Sequence, residues 1–389
     1  MNEIHRGILT LLKSAITRIP GKLPLEFSLE AAYPVIQAHH ITAMAYDGAV
    51  LCGLPKDDPV MQQLFQDYYK CLLISRAQLA QIDRIFDAFE RNGIDYMPLK
   101  GCNMKQRYPA PELRMMGDAD ILIRMDQYDA IRPLMTELGF RETKTTDHEL
   151  IWQSKALFLE LHKRVIPSYN LDMKDYFGDG WELAKRCRGN RWDMTPEDEW
   201  IYLFTHFAKH YRDGGIGCRH MVDLWVYLRT AGNMDEGYVE GELEKLQLLA
   251  FYRNIRRLIG VWFDGAPEDE MSEYLTEFIF SSGSWGQMET KILSRTLRDS
   301  KRSVLGFSGR LIYIRNILFP GVDVLKGKYT ILKKAPWALP LVWIIRPFYK
   351  LLFEKESLKV QEKNLKAVSQ DNVELRQNML RYVGLDYFK

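Results

Sequence analysis

Apolar residues recur at three- and four-residue intervals through the first 92 positions. The clearest stripe, Leu79, Ile82, Ile85, Phe86 and Phe89, predicts an amphipathic helix, and Asn92-Gly93 supplies a left-handed turn to end it. Ile4, Ile8, Leu11, Leu12 and Ile16 give an earlier helix. Lys13 interrupts its apolar run and no small-residue cleavage site follows, so it reads as a folded element rather than a leader. Between 94 and 166 the period shortens to that of strands. IDYMPL, DADILI, HELIWQS and ALFLELH are β-type runs. One helix interrupts them, carrying Ala130, Ile131, Leu134, Met135 and Leu138, with Asp126 placed to cap it and Gly139 to end it. After about residue 185 helical signals return at Thr195-Pro196-Glu197-Asp198, a capping threonine followed by proline and acids in the first turn, and this helix should end at Gly214-Gly215. Further helical stripes follow, with breaks near Pro320-Gly321 and a charged amphipathic tail from about residue 354. The expected organisation is a helical region over 1–92, an α/β core over 93–185 and a helical region over 186–389. The fold class is α+β, a small mixed sheet flanked by helices.

Composition narrows the class without choosing a function. The chain has 389 residues, 47% hydrophobic and 27% charged, which excludes disorder, collagen-like sequence and a coiled coil. A net charge of +2 provides no global field for nucleic acid, so any basic site is local. Five widely spaced cysteines with no CxxC pair suit reduced thiols in a cytoplasm better than disulfides or a zinc cluster. The most apolar later stretch, PWALPLVWII from Pro336, has about half of the roughly 20 residues a spanning helix needs, so no stable membrane insertion is expected.

The candidate chemistry lies in Gly117-Asp118-Ala119-Asp120-Ile121-Leu122-Ile123. Strand alternation puts Asp118 and Asp120 on one face about 7 Å apart, close enough to grip shared cations, and the apolar run that follows buries the strand. Like charges driven together by burial favour a bound cation. In LFLELH the same alternation puts Glu160 and His162 on one face. Three carboxylates on adjacent strands, Asp118, Asp120 and Glu160, are hard oxygen ligands for Mg²⁺, and two such ions suit phosphoryl or nucleotidyl transfer. At the end of the first strand, the Lys100-Gly101 turn lets backbone N–H groups approach a phosphate beside a lysine. Arg107 and Arg114 lie on the path to Asp118, and Arg114 is the better placed for a phosphate oxygen.

Leu99-Lys100-Gly101, Tyr108-Pro109, Arg114-x-x-x-Asp118-x-Asp120-Ile121-Leu122-Ile123 and Glu160-Leu161-His162, in this order, resemble the bacterial uncharacterised nucleotidyltransferase family of the DNA polymerase β-like superfamily. Ala38-His39-His40-Ile41-Thr42 upstream and His206-x-x-x-His210 with Arg219 and Asp223 downstream are similar to that family's helical segments. The resemblance implies a polymerase β-like core in which Asp118, Asp120 and Glu160 are the catalytic metal-binding acids and Lys100, Gly101 and Arg114 meet the phosphates. The implied reaction uses two Mg²⁺ ions and a nucleoside triphosphate (NTP), and moves its NMP to a hydroxyl acceptor on a protein, sugar, small molecule or tRNA end. Pyrophosphate leaves.

Other readings keep a place. The wider superfamily has Gly-Ser or Gly-Gly where this chain has Lys100-Gly101, which motivates a catalytically silent nucleotide-binding or interaction module retaining the fold. His162 reads as packed at a sheet end with its ring N–H on a carbonyl, and His206 and His210 as bonded to the next helix through Asp223. Lys163-Arg164 read as solvated. Tyr329 to Phe353, with Trp337 and Trp343, allows a membrane-associated interaction protein as a third reading.

Overall fold

The computed structural model describes residues 1–168, 170–284, 286–301, 314–315, 317–325, 329–353 and 368–386. They form two compact units, one of residues 1–209 with 216–285 and the other of 210–215 with 286–389. The first unit begins with α1 (Glu3–Thr17), α2 (Leu29–Ala38), α3 (Thr42–Leu51) and α4 (Pro59–Arg91). Asn2 caps α1 by accepting from the His5 N–H at 2.8 Å. Gly48 lets α3 press on α1, because a Cβ there would stand 2.0 Å from the Leu11 carbonyl oxygen. The stripe from Leu79 to Phe89 belongs to α4, a 33-residue helix capped by Asp58 and followed by Gly93 at φ +67°.

The α/β part runs β1 (Tyr96–Leu99), α5 (Gly101–Met104), β2 (Asp118–Ile123), α6 (Tyr128–Glu137), β3 (Arg141–Thr145), β4 (Glu149–Gln153), β5 (Phe158–His162), α7 (Leu171–Phe177), β6 (Ala184–Arg188) and β7 (Arg191–Met194). The seven strands lie in the order β3-β4-β5-β2-β1-β7-β6. Pairs β2–β5 and β1–β7 are parallel and the rest antiparallel, so the sheet is mixed and the fold is α+β. Asp126 does not cap α6. It sits in a 3₁₀ turn, Met125–Gln127, and the helix starts at Tyr128. The sheet also continues beyond residue 185, through a hairpin in which Arg188 faces Arg191 across Gly189-Asn190.

Helices α8 (Pro196–Asp213), α9 (Cys218–Thr230), α10 (Glu236–Lys245), α11 (Leu249–Ile259) and α12 (Glu270–Ser282) complete the chain up to 285. Thr195 opens α8 as expected, its hydroxyl bonding the Asp198 carboxylate at 2.7 Å and accepting from the Asp198 N–H at 3.1 Å. His39, fully buried, joins three elements. Its Nδ1 accepts from the Cys218 N–H at 3.1 Å, so Nε2 carries the proton and donates to the Phe280 carbonyl at 3.0 Å.

In the second unit Met288–Lys301 packs on Gln370–Tyr382, and Arg376 donates to Ser294 Oγ at 3.2 Å and to the Tyr211 carbonyl at 3.0 Å. The expected tail from about 354 lies outside the described residues as far as 367. No helix among the described residues is long and apolar enough to cross a membrane.

Candidate metal and phosphate site

Strand β2 separates two kinds of surface. Ala119, Ile121 and Ile123 are fully buried and pack with Leu159 and Leu161 of β5 against Ile82, Ile85 and Phe89 of α4 and Ile131 and Met135 of α6. Fully burying each large aliphatic side chain stabilises the fold by roughly 1.5–3 kcal/mol, which fixes the register and sends Asp118 and Asp120 to the opposite face. There the parallel pairing puts Asp120 beside Glu160 and Leu122 beside His162, while Glu149 of β4 lies opposite His162. Local alternation and long-range pairing therefore bring all three expected acids to one side of the sheet.

Asp120 is the centre of the cluster. Its Oδ1 accepts from Lys100 Nζ at 2.7 Å and from His162 Nε2 at 2.8 Å, and that Nε2 is also 3.5 Å from Glu160 Oε2. Burial alone would raise the Asp120 carboxyl, but Lys100 and His162 hold it well below the usual carboxylate range. Asp118 makes no ion pair among the described residues, though the charges of Lys100 and Arg219 lie near enough to oppose its shift. Burial, then the charges of Asp120 and Glu160, push it up to about 6. For His162, burial and Lys100 disfavour the proton, yet hydrogen bonds to Asp120 and Glu160 raise its pKa overall. The expectation of a carbonyl partner for this ring is corrected: Nε2 meets carboxylates, and the buried Nδ1 makes no hydrogen bond among the described residues.

One ligand atom from each of Asp120, Glu160 and His162 lies within 4.8 Å of the others. This donor set of hard oxygens and an imidazole fits a divalent ion, and Asp120 Oδ2 makes no hydrogen bond among the described residues. Asp118 stands on the same face but outside this closest set. Lys100 occupies an unusual backbone conformation, φ 42° and ψ −107°, at the mouth of the turn. Gly101 then allows a close approach, since a Cβ there would meet Met116 Sδ at 3.0 Å and Arg114 Nη1 at 3.1 Å.

Arg114 is directed elsewhere. Its Nε and Nη2 grip both oxygens of Asp223 on α9 at 2.7 and 2.9 Å, and Tyr108 donates its hydroxyl to the same carboxylate at 2.7 Å. Among the described residues Nη1 makes no hydrogen bond, and it lies where a Cβ on Gly101 would meet it. Asp223 thus takes Arg114 and Tyr108. Arg107 is likewise engaged, donating to Glu199 at 2.9 Å and lying 4.3 Å over the Tyr227 ring. Lys163, half-buried, donates Nζ to the Thr146 carbonyl at 2.9 Å.

A cavity of about 310 Å³ adjoins Lys100 and is walled by Asn103, Gln106, Arg191, Glu199 and Tyr202 among others. The Tyr202 hydroxyl is buried close to Lys100, and burial, with the carboxylates of Asp120 and Glu160 nearby, raises its pKa against the opposing charge and hydrogen bonding of Lys100. Neither Tyr202 nor Glu149 figured among the expected site residues. Glu149 was legible, since pairing HELIWQS with ALFLELH as a hairpin puts it on the His162 face. Tyr202 was not, because its place depends on how α8 meets the sheet.

Fold and site together define an α+β protein whose central parallel strands expose a metal-capable acidic face beside a Lys-Gly turn. The chain belongs to the uncharacterised nucleotidyltransferase family, whose model matches residues 26–264. That span contains every residue of the acidic cluster and the turn. No curated protein and no solved structure matches the chain.

Proposed function

We propose that the chain is a Mg²⁺-dependent nucleotidyltransferase with a polymerase β-like core, moving a nucleoside monophosphate from an NTP to a hydroxyl acceptor. The observation that carries this reading is the pairing of Asp120 with Glu160 across β2 and β5, with Asp118 on the same face. Asp118, Asp120 and Glu160 would hold one or two Mg²⁺ ions, which when bound supply Lewis-acid polarisation of phosphate and hydroxyl oxygens. Lys100 stands beside these acids, so its ammonium can exchange a carboxylate for a phosphate oxygen as the triphosphate arrives. The Gly101 backbone, open for lack of a Cβ, and Arg114 Nη1 border the same turn. In the transfer the acceptor oxygen bonds to the α-phosphorus and its proton passes to the Glu160 carboxylate. The bond from that phosphorus to the bridging oxygen breaks, and pyrophosphate leaves with the electron pair. All five cysteines are free thiols, which supports a reducing, cytoplasmic setting.

Isothermal titration of each NTP with Mg²⁺ tests the reading. Wild type should bind at least one NTP, Asp118→Asn should weaken that binding tenfold or more, and Asp118→Ala with Asp120→Ala should abolish it. No binding to the wild type would sink the claim. A second reading, a silent nucleotide-binding module, is favoured by Lys100 Nζ already lying on Asp120 Oδ1, where a cation would otherwise compensate the charge. Mg²⁺-dependent NTP binding without pyrophosphate release against any acceptor pool would select it.

A further inference from the structure

The helix Leu339–Phe353 packs by one side only. Val342 is buried with Leu325, Leu332 and Ala338, Leu339 and Trp343 flank them, and Trp343 Nε1 donates to the Pro320 carbonyl at 2.9 Å. These contacts fix the helix rotation. At 100° per residue, Leu341, Ile344, Ile345 and Phe348 then share the outward face, and they are 57%, 64%, 57% and 65% exposed. Trp337, in the turn that leads into the helix, is 79% exposed and extends the same apolar surface.

Charge indicates what covers this face. Residues 329–353 contain Lys333, Lys334, Arg346 and Lys350 and no Asp or Glu; Lys334 is exposed, while Arg346 donates to the Ile317 carbonyl at 2.5 Å on the packed side. In the longer sequence 301–353, ten Lys or Arg stand against the single Asp323, a net of +9 that leaves −7 on the rest of a chain whose total is +2. An apolar strip with an exposed tryptophan, in a segment cleared of acids, is complementary to an anionic lipid surface, where aliphatic and ring groups enter the headgroup boundary and lysines meet phosphates. A protein partner of ordinary composition would not require the acids to be excluded, and a nucleic acid would not use four aliphatic and aromatic side chains in a row. The segment also lies beyond the family match, which ends at 264.

We propose that the outward face of this helix, with Trp337, docks the protein peripherally on an anionic membrane surface. The face lies flat on the bilayer, in keeping with the absence of a spanning helix among the described residues. The test is co-sedimentation of the full chain with vesicles of phosphatidylcholine alone and of phosphatidylcholine mixed with phosphatidylglycerol, whose negative surface potential attracts basic segments. Binding should be at least tenfold tighter to the anionic vesicles and fall severalfold at high salt. Leu341→Glu with Ile344→Glu should remove it, and Lys334→Glu should weaken it by a smaller factor. Both sites are exposed, so thermal unfolding should match the wild type. No binding to anionic vesicles overturns the proposal, as does binding that survives the double substitution. A dimer in solution that the same substitutions dissociate, with no vesicle binding, assigns the face to a second copy instead.

Discussion

Lys100 and Lys105 lie five positions apart on either side of α5, and both place an ammonium inside the protein, but their surroundings differ. Lys100 Nζ has the Asp120 carboxylate at 2.7 Å, and although burial disfavours the charge, Asp120 raises its pKa. Lys105, 1% exposed, donates among the described residues to the Arg114 carbonyl alone, at 2.7 Å, and burial, then the charge of Arg114, lower it to about 8. Arg114 itself completes the comparison with a bidentate grip on Asp223. The pair that fills both carboxylate oxygens is a brace. The pair that leaves Asp120 Oδ2 free is the one that can rearrange when a cation or phosphate arrives. What distinguishes framework from site here is how much of each carboxylate is already used, rather than burial.

Breaking the brace should have the largest effect. Arg114→Met leaves the buried Asp223 with the Tyr108 hydroxyl and the nearby charge of Arg219, and removing one partner of a buried pair costs about 3–5 kcal/mol. Urea unfolding would measure it. Adding Asp223→Leu should recover part of the loss, because the unpaired carboxylate is gone while buried Arg219 loses its attraction to it. A loss below about 1 kcal/mol in the single variant would mean that Asp223 is more accessible to water than its contacts imply.

Lys105 offers the next effect, with a definite pH signature. Its folded pKa, about 8, lies below its ordinary 10.5. Below pH 8 both states are protonated and the folded protein bears the full cost of the buried charge, about 3 kcal/mol at most. Between pH 8 and 10.5 the unfolded chain keeps a proton that the folded one has lost, so stability rises with pH. Lys105→Met lacks this slope. The stability of wild type minus that of Lys105→Met should therefore climb by up to about 3 kcal/mol from pH 7 to 10.5. Taking the difference removes the tyrosine and cysteine titrations common to both proteins. A flat difference would show that the ammonium is hydrated in the folded state.

The acids of the site were legible because their signal is local. Alternation puts Asp118 and Asp120 on one face, and the apolar run Ile121 to Ile123 shows that the strand is buried. The cations were not, because their partners are set by folding: Asp120 reaches Lys100 through the antiparallel register with Leu99, and Arg114 meets Asp223 more than a hundred residues away. Three strands were missed, β3, β6 and the short β7 of four residues, and two of them share a cause. β3 and β6 are the two edges of the sheet, and edge strands carry polar residues such as Arg-Glu-Thr-Lys-Thr and Lys-Arg-Cys-Arg that hide the β period. Gly189-Asn190 was the available clue to the second, a two-residue hairpin loop with Gly189 at φ +55°.

The smallest effect separates the two features that meet at Lys100. A non-glycine residue at φ 42° and ψ −107° holds about 1–3 kcal/mol of backbone strain, and its side chain offsets some of this through Asp120. Lys100→Met keeps the strain and loses the ion pair, while Lys100→Gly loses both. Lys100→Gly should therefore be the more stable variant by about 1–3 kcal/mol in urea unfolding, less the entropy that glycine adds to the unfolded chain, about 0.5–1 kcal/mol. If both variants bind Mg²⁺-NTP equally weakly, the ammonium is what the nucleotide needs. If Lys100→Met binds normally and Lys100→Gly does not, the rigid turn that points the backbone at the phosphates matters more, and the strain is retained for that purpose rather than for the Asp120 contact.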